Sequence, residues 1–393
     1  MADLQSGPIK FQIPADANFI DLKSTMLHVE VVITDLAGKA YIDAKNEGVF
    51  VNNMLHSIFS DIIVKIGDTI VEGGDQTYAM KAYIDTMFAY STKAMEKQLM
   101  CSGFYKDASA EMDTAKNTGY ISRQALTTLG AVTELYGKPM LSIFQQNKYL
   151  LNRTRWSLKL IRSKPEFALM SLKSGEKPRF EIKSASLVIR KIVPNPAITM
   201  SIERELAANR PVIYPVNHVE VFYLFSKEKV AKFMHDQLFY NRVPKMIVMA
   251  MLDNEALNGS YTKNPFNFKP FDVSMIDLKI NGISKPQLPI KLSKTGKNYR
   301  AYMSVYEALN IVGRDSYLPF TYDEWKAGYS FFVFNTTPDR AGVMHFPDQR
   351  ASLRLDLTFD PAPTTPVTIV LYAVFDANIF IAADGVVTTD FSM

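Results

Sequence analysis

The residues best suited to chemistry in this 393-residue chain are five histidines and a single cysteine, and their spacing serves chemistry poorly. His28 stands two residues before Glu30, and His218 two before Glu220. On a strand, that spacing puts each pair on one face, as an acid–base or metal-binding pair would require. Either role needs further ligands converging on the pair, so both read as solvated or interfacial polar pairs. His56, His235 and His345 are scattered. As a nucleophile, Cys101 in Met100-Cys101-Ser102-Gly103 would need a histidine base delivered by the fold, and it reads as a structural thiol. Gly73-Gly74 beside Asp75 could form a phosphate cradle, but it lacks the lysine and the strand–loop–helix setting of one. It reads as a loop in which positive φ is needed. The G-x-x-x-x-G-K-[ST], H-E-x-x-H, G-x-S-x-G and EF-hand patterns are absent from the sequence. No catalytic, cofactor-binding or metal-binding residue is assigned from these patterns, and no cofactor is expected.

Composition narrows the class. At 47% hydrophobic and 21% charged residues the chain is neither disordered nor collagen-like. Its length suffices for two domains with separate cores. One cysteine excludes an intramolecular disulfide framework. Lys and Arg total 44 against 40 Asp and Glu, short of the dense basic footprint of a general nucleic-acid binder. The most basic stretch holds Lys285, Lys291, Lys294, Lys297 and Arg300. It reads as a solvated loop that could meet nucleic acid electrostatically. The first residues lack a basic region followed by an apolar core, and no apolar run is long enough to span a bilayer. A reducing, aqueous compartment is expected, with the sequons at Asn152, Asn258 and Asn335 incidental.

The elements that would position any site are mostly strands. Thr25 to Ile33 alternates, and Trp156 to Ile161, Ala185 to Val193, Val216 to Phe225, Lys245 to Leu252, Leu353 to Phe359 and Val367 to Phe375 are rich in β-branched and aromatic residues. Helices are expected over Tyr78 to Gln98, Tyr302 to Asn310 and Ser201 to Asn209, and residues 103–137 read as a long polar excursion of weak periodicity with one helix near Gln124. Three segments recur in order. His28-Val29-Glu30-Val31 returns as His218-Val219-Glu220-Val221, and Ile62 to Gly67 is echoed by Ile276 to Gly282. Lys81-Ala82-Tyr83 parallels Arg300-Ala301-Tyr302. The expectation is two copies of one β domain, joined near residues 201–213. Val367 to Phe375 and Val221 to Phe225 are apolar in both registers, so they need cover on both faces from another domain, a helix or a neighbouring subunit.

The second half carries a distinctive segment. Asn241-Arg242-Val243-Pro244-Lys245 leads into a strand, then Asp253-Asn254-Glu255-Ala256-Leu257-Asn258-Gly259-Ser260-Tyr261, then Asn264-Pro265-Phe266-Asn267-Phe268. It reads as a strand, a polar turn and an aromatic-anchored extended stretch. Further landmarks are Val51 to Asp61, Asn147 to Asn152, Leu160 to Lys164, Arg300 to Met303, Gly328-Tyr329, Thr337-Pro338-Asp339 and Leu353 to Leu357. In this order, over residues 20 to 380, they resemble the hexon-like major capsid proteins of adintoviruses and of Maverick/Polinton elements.

The resemblance implies a mainly β double jelly roll: two eight-stranded antiparallel β-sandwiches in one chain, with short helices in the connections. The units would be an N-terminal arm over 1–20, a first jelly roll over 21–212 with a connector helix at 201–209, and a second over 213–393. The arm, holding Pro8 and Pro14, would order on assembly. The resemblance also implies a homotrimer forming a pseudo-hexagonal capsomer, a trimer–trimer lattice with penton and minor capsid proteins, and an icosahedral shell around double-stranded DNA bound without sequence specificity. It places the protein in the virion, with synthesis in the cytoplasm and assembly in the nucleus. Asp253, Asn254, Asn258, Gly259, Tyr261, Asn264, Pro265, Phe266 and Phe268 would be a structural motif. Two other readings stand beside it: a jelly-roll glycan-binding module, which needs an aromatic platform with convergent amides or a calcium site, and an enzyme, either a jelly-roll hydrolase or a cupin-like metal protein, the latter needing several convergent histidines.

Overall fold

The computed structural model describes residues 7–40, 48–173, 175–313, 318–337 and 350–391. His345 and the Pro338-Asp339 landmark lie outside the described residues. The strands of the first half are β1 (Ile9–Ile13), β2 (Phe19–Thr34), β3 (Val49–Phe50), β4 (Phe59–Ile66), β5 (Thr69–Glu72), β6 (Thr133–Gly137), β7 (Trp156–Arg162), β8 (Leu169–Met170) and β9 (Arg179–Ile192). Those of the second half are β10 (Val212–Ser226), β11 (Lys232–His235), β12 (Met246–Asp253), β13 (Val273–Ile280), β14 (Ile283–Lys291), β15 (Phe332–Asn335), β16 (Leu353–Phe359), β17 (Val367–Ile381) and β18 (Val387–Thr389). Between them lie α1 (Met54–Ser57), α2 (Tyr78–Ala89), α3 (Thr92–Lys97), α4 (Thr118–Thr127), α5 (Pro165–Ala168), α6 (Pro196–Ala207), α7 (Asn254–Asn258), α8 (Tyr299–Ala308) and α9 (Tyr322–Ala327).

In the second half the pairing is nested. β10 pairs with β17, β11 with β16, β12 with β15 and β13 with β14, all antiparallel. A long hairpin rolled on itself gives this pattern, and it yields two facing sheets of order β10-β17-β12-β15 and β11-β16-β13-β14. β18 adds to β17. The first half repeats the plan. β2 pairs with β9, β3 with β8 and β4 with β5, while a second sheet runs β1-β7-β4-β5. The molecule is thus a mainly β, antiparallel double jelly roll. The recurrent sequence segments occupy equivalent places: β2 and β10, the β4–β5 and β13–β14 hairpins, and helices α2 and α8.

One expectation is corrected at the N-terminus. Ile9–Ile13 is no free arm but an edge strand on β7, with Ile9 opposite Leu160 and Ile13 opposite Trp156. It holds the position that β11 holds beside β16 in the second half, so the beginning of the chain supplies an edge that the other roll takes from its interior. The physical reason is alternation. Ile9 and Ile13 are buried while Lys10 is exposed, and Pro8 and Pro14 flank the strand, outside its ladder. The connector helix also begins earlier than expected. Asn195 accepts from the Ala197 N–H and Pro196 occupies the first turn, a stronger start signal than Ser201. The helix expected over Tyr78 to Gln98 breaks at Tyr90, where Ser91 caps α3 by accepting from the Ala94 N–H.

The strands that are apolar on both faces find their cover inside the chain. Val367 to Phe375 is wholly buried at the centre of its sheet, in one apolar cluster with Met80, Tyr83, Ile84 and Met87 of α2. The apolar pattern therefore does not itself demand a neighbouring subunit. β10 and β17 are long enough to serve both cores: Val221 and Val370 lie in the second, Tyr214 and Ile379 in the first.

A polar contact accompanies this cover. The Tyr372 hydroxyl donates to Asp85 of α2, and a turn earlier the Lys81 ammonium sits 2.5 Å from Glu72. Burial pushes the Asp85 carboxyl up to about 6, against the pull of Lys81 and of the Tyr372 hydrogen bond. A carboxyl raised in the folded state holds its proton there after the unfolded chain has lost it. Its contribution is therefore complete below the ordinary value of 3.8 and is lost as pH rises to about 6. The stability advantage of Asp85→Asn over the parent should accordingly grow by about 1–3 kcal/mol between pH 4 and 7. Urea unfolding of both proteins across that range checks this, and a pH-independent difference would refute it.

Candidate functional site

The segment from Asp253 to Phe268 joins the two rolls. At its start, Asn254 fixes the end of β17: its N–H donates to the Pro366 carbonyl at 3.1 Å and its side chain to Thr368 Oγ1 at 3.1 Å. The expected polar turn is the short helix α7, closed by Gly259 at φ +109°, where a Cβ would stand 3.0 Å from Glu166 Cβ of the first roll. Asn258 bonds back to Asn254 at 2.8 Å. From there the chain runs along the first roll. The Tyr261 carbonyl accepts from the Ser171 N–H at 2.7 Å, and its hydroxyl donates to the Pro178 carbonyl at 3.0 Å.

The next residues enter a buried polar network. Asp107, Asn117 and Arg123 come from the excursion of the first roll, Asn264 and Tyr329 from the second, and all five are buried. Arg123 donates to Asp107 at 2.8 Å and to the carbonyls of Phe50 and Tyr105 at 2.8 and 2.9 Å. The other Asp107 oxygen accepts from the Asn264 side chain at 3.2 Å, and the Asp107 carbonyl accepts from the Tyr329 hydroxyl at 2.8 Å. A charge taken out of water is tolerated only when paired and hydrogen-bonded, and here the partners come from both rolls. Burial pushes the Tyr329 hydroxyl well above its ordinary range, and Tyr83 and Asp107 add to that, so it remains a donor.

An aromatic layer lies against the network. Phe266 stacks on Tyr83 with ring centroids 4.1 Å apart and planes 2° from parallel, and meets Phe167 edge-on at 6.1 Å. Phe268 packs on Phe331 at 4.9 Å, and Pro265 is buried next to Phe266 in the chain. At the rim, Lys269 lies between Asp113 of the first roll at 3.1 Å and Asp253 at 2.9 Å. Burial opposes its charge, but the two carboxylates prevail and hold the ammonium pKa above its ordinary value. This arrangement is a clasp between the rolls, built of paired charges, hydrogen bonds and stacked rings. Residues 103–137, read from sequence as a polar excursion, thus supply Asp107, Asn117 and Arg123. The helix expected near Gln124 is α4, which carries Arg123, and Asn117 caps it by accepting from the Gly119 N–H.

The basic stretch falls elsewhere. Lys285 and Lys291 lie on β14, an edge strand rather than the expected loop, which also carries Pro286 and Pro289. Prolines and lysines along an edge block pairing with another sheet. Lys294 lies 3.8 Å from Asp272, Lys297 sits over the Tyr299 ring at 5.9 Å and Arg300 reaches the Leu288 carbonyl at 3.5 Å. All five side chains are exposed.

Of the other candidates, His28 bonds Glu134 on β6 at 2.9 Å rather than Glu30, while His218 does meet Glu220 at 3.2 Å. His56 is buried against the Tyr78 hydroxyl at 2.8 Å, and burial drives its pKa down to about 3. Cys101 is exposed, outside any core. Gly73 has φ +84°, and a Cβ there would strike the Ile62 carbonyl at 2.2 Å. Gln145, Gln146, Asn147 and Asn217 line a cleft of about 290 Å³ with no aromatic ring in its lining. Among the described residues no group of three or more His, Cys, Asp or Glu could hold a metal ion, and no helix is long and apolar enough to cross a membrane.

No protein-family model matches the chain. It is 24% identical over 388 residues to an uncharacterized protein of Caenorhabditis elegans, covering 94% of this chain and 90% of that one. Among solved structures, it is similar to a chain of the Sputnik virophage (TM-score 0.61, 12% identity, 100% of this chain and 89% of that chain). It is also similar to the mavirus major capsid protein (TM-score 0.56, 10% identity, 99% and 88%). The Faustovirus major capsid protein gives a TM-score of 0.55 at 8% identity over 96% and 88%. These likenesses span both rolls.

Proposed function

We propose that this chain is a major capsid protein, a structural tile and not an enzyme. The observation that carries the reading is the double jelly roll shared, over nearly its whole length, with the major capsid proteins of mavirus and Faustovirus. Two similar rolls in one chain present two similar outer profiles. Three such chains around a threefold axis give a pseudo-hexagonal outline that tiles a shell, and closed cyclic symmetry leaves the outer edges for weaker lattice contacts. The clasp supports the reading physically, because a tile transmits lattice stress only if its two rolls move as one body.

In this proposal the partners are two further copies of the chain, then neighbouring trimers, penton and minor capsid proteins, and enclosed double-stranded DNA held without sequence specificity. The exposed cations from Lys285 to Arg300 are the segment proposed to face the DNA. The landmarks in the sequence favour an adintovirus or Maverick/Polinton origin, with the protein in the virion and assembly in the host nucleus. A relative in a nematode accords with an element carried in an animal genome.

Light scattering on a sizing column, with negative-stain images of the same peak, tests the tile. A mass three times the 44.3 kDa of the chain, with hexagonal outlines, is expected. A monodisperse monomer at all concentrations would overturn the trimer.

A further inference from the structure

The basic stretch surrounds an exposed ring. Between Asp277 and Glu307 the chain carries six cations and no carboxylate. Lys279 is paired with Asp277 and Asp356, and the other five are the exposed cations from Lys285 to Arg300. The Lys294–Asp272 contact, at 3.8 Å between exposed side chains, is a screened surface pair that yields readily to another anion. Tyr299, the first residue of α8, is 55% exposed. Its ring packs on Tyr322 of α9 with centroids 5.0 Å apart, and Tyr322 packs in turn on the buried Trp325 at 6.3 Å. Lys297 Nζ lies 5.9 Å from the Tyr299 centroid, and Lys326 Nζ 5.0 Å from that of Tyr322.

The ring is held as well as exposed. In the loop before α8, the Asn298 side chain accepts from the Ser293 N–H at 2.7 Å and donates to the Ser293 carbonyl at 2.9 Å. The Tyr322 hydroxyl donates to the Lys297 carbonyl, which ties this loop to α9. A capping box between Thr321 and Glu324 fixes the start of α9 itself. Ring and cations are therefore set in place by the fold, and little further ordering is needed on binding.

We propose that Tyr299 and the cations around it bind single-stranded nucleic acid, with one base stacked on the ring and neighbouring phosphates paired with Lys294, Lys297 and Arg300. Charge selects a polyanion, and the ring selects one with an accessible π-face. A duplex offers the phosphates but keeps its bases stacked on one another, so it would use the cations and leave the ring idle. The inference rests on the capsid reading, in which these cations face DNA, and adds that an unpaired base occupies Tyr299. The mass measurement that tests the tile is independent of it, so failure here leaves the trimer standing.

Fluorescence anisotropy with the purified full-length chain at about 50 mM salt tests this, using labelled probes of about 20 nucleotides. They are oligothymidylate, an abasic strand with the same phosphates, and a duplex. Oligothymidylate is expected to bind with a Kd below about 100 μM, and the abasic strand at least about fivefold more weakly. Tyr299→Ala should reduce oligothymidylate to the abasic level and leave the duplex unchanged. Tyr299→Phe keeps the ring and should behave as the parent. Lys294→Gln combined with Lys297→Gln should weaken every probe and lower the single-strand salt slope by about 1.4. No binding up to about 100 μM would overturn the site, as would equal affinity for oligothymidylate and the abasic strand. Tighter association with phosphatidylserine vesicles than with oligothymidylate, at equal anionic charge, would overturn it in favour of a lipid surface.

Discussion

Replacing Arg123 with Ala is expected to lower the free energy of unfolding by about 3–5 kcal/mol. The guanidinium is fully buried, pairs with an equally buried Asp107 and holds two backbone carbonyls. Its removal leaves a carboxylate without its countercharge, two unsatisfied acceptors and a cavity. Arg123→Lys should recover only part of the loss, since one ammonium cannot span three acceptors in the planar fork that Arg supplies. Urea unfolding measures both variants. Trp156 lies in the core of the first roll and Trp325 in that of the second, so each roll carries its own fluorescent reporter. A loss below about 1 kcal/mol for Arg123→Ala would mean that the pair only offsets its own desolvation.

The second large effect is expected at Phe266. Truncation to Ala removes a fully buried ring stacked on Tyr83 and abutting Phe167, both of the first roll. Large-to-small changes of this kind cost about 3–5 kcal/mol. The more specific outcome concerns coupling. The ring belongs to the second roll and its packing partners to the first, so the variant should separate transitions that coincide in the parent. Selective excitation in Trp156→Phe and Trp325→Phe backgrounds reads each roll alone. A midpoint difference should appear with Phe266→Ala and be absent without it. Coincident, equally shifted transitions would show that β10 and β17, which serve both cores, suffice to hold the rolls together.

Both variants bear on the tile as well as on the chain. If the two rolls are one rigid body, weakening the clasp lowers the yield of any assembled form more than the change in chain stability alone would account for. The Asp85–Tyr372 contact ties α2 of the first roll to β17 of the second, so it belongs to the same mechanical unit.

Much of this fold was legible in the sequence because strands announce themselves locally. Alternation in β2, β-branched and aromatic runs in β12 and β17, and recurrence of the His-Val-Glu-Val, strand–turn and helix segments each depend on neighbours in the chain. The unusual composition of Asp253 to Phe268 marked that segment, and it runs between the rolls. Where the sequence misled, distant partners intervened. Ile9–Ile13 is a short alternating run between prolines, and only the open edge of β7 makes it a strand. Lys285 and Lys291 look like loop lysines until β13 draws β14 into a ladder. Asp107, Asn117 and Arg123 are polar residues of a stretch with only weak periodicity, which by itself suggests a solvated surface. Asp107 meets Asn264 and Tyr329, which arrive from more than a hundred residues away, and Asn117 and Arg123 are buried around it.

The amino-acid sequence by itself determined the class of the molecule, its duplication and the absence of any recognised catalytic motif, since these rest on composition, period and repeat. Tertiary structure alone decided which polar residues are buried, which edge the beginning of the chain completes and which rings gather beside the basic stretch. Burial and hydrogen-bond satisfaction are properties of surfaces brought together by the fold. A residue's own neighbours in sequence carry no record of the surface it will meet.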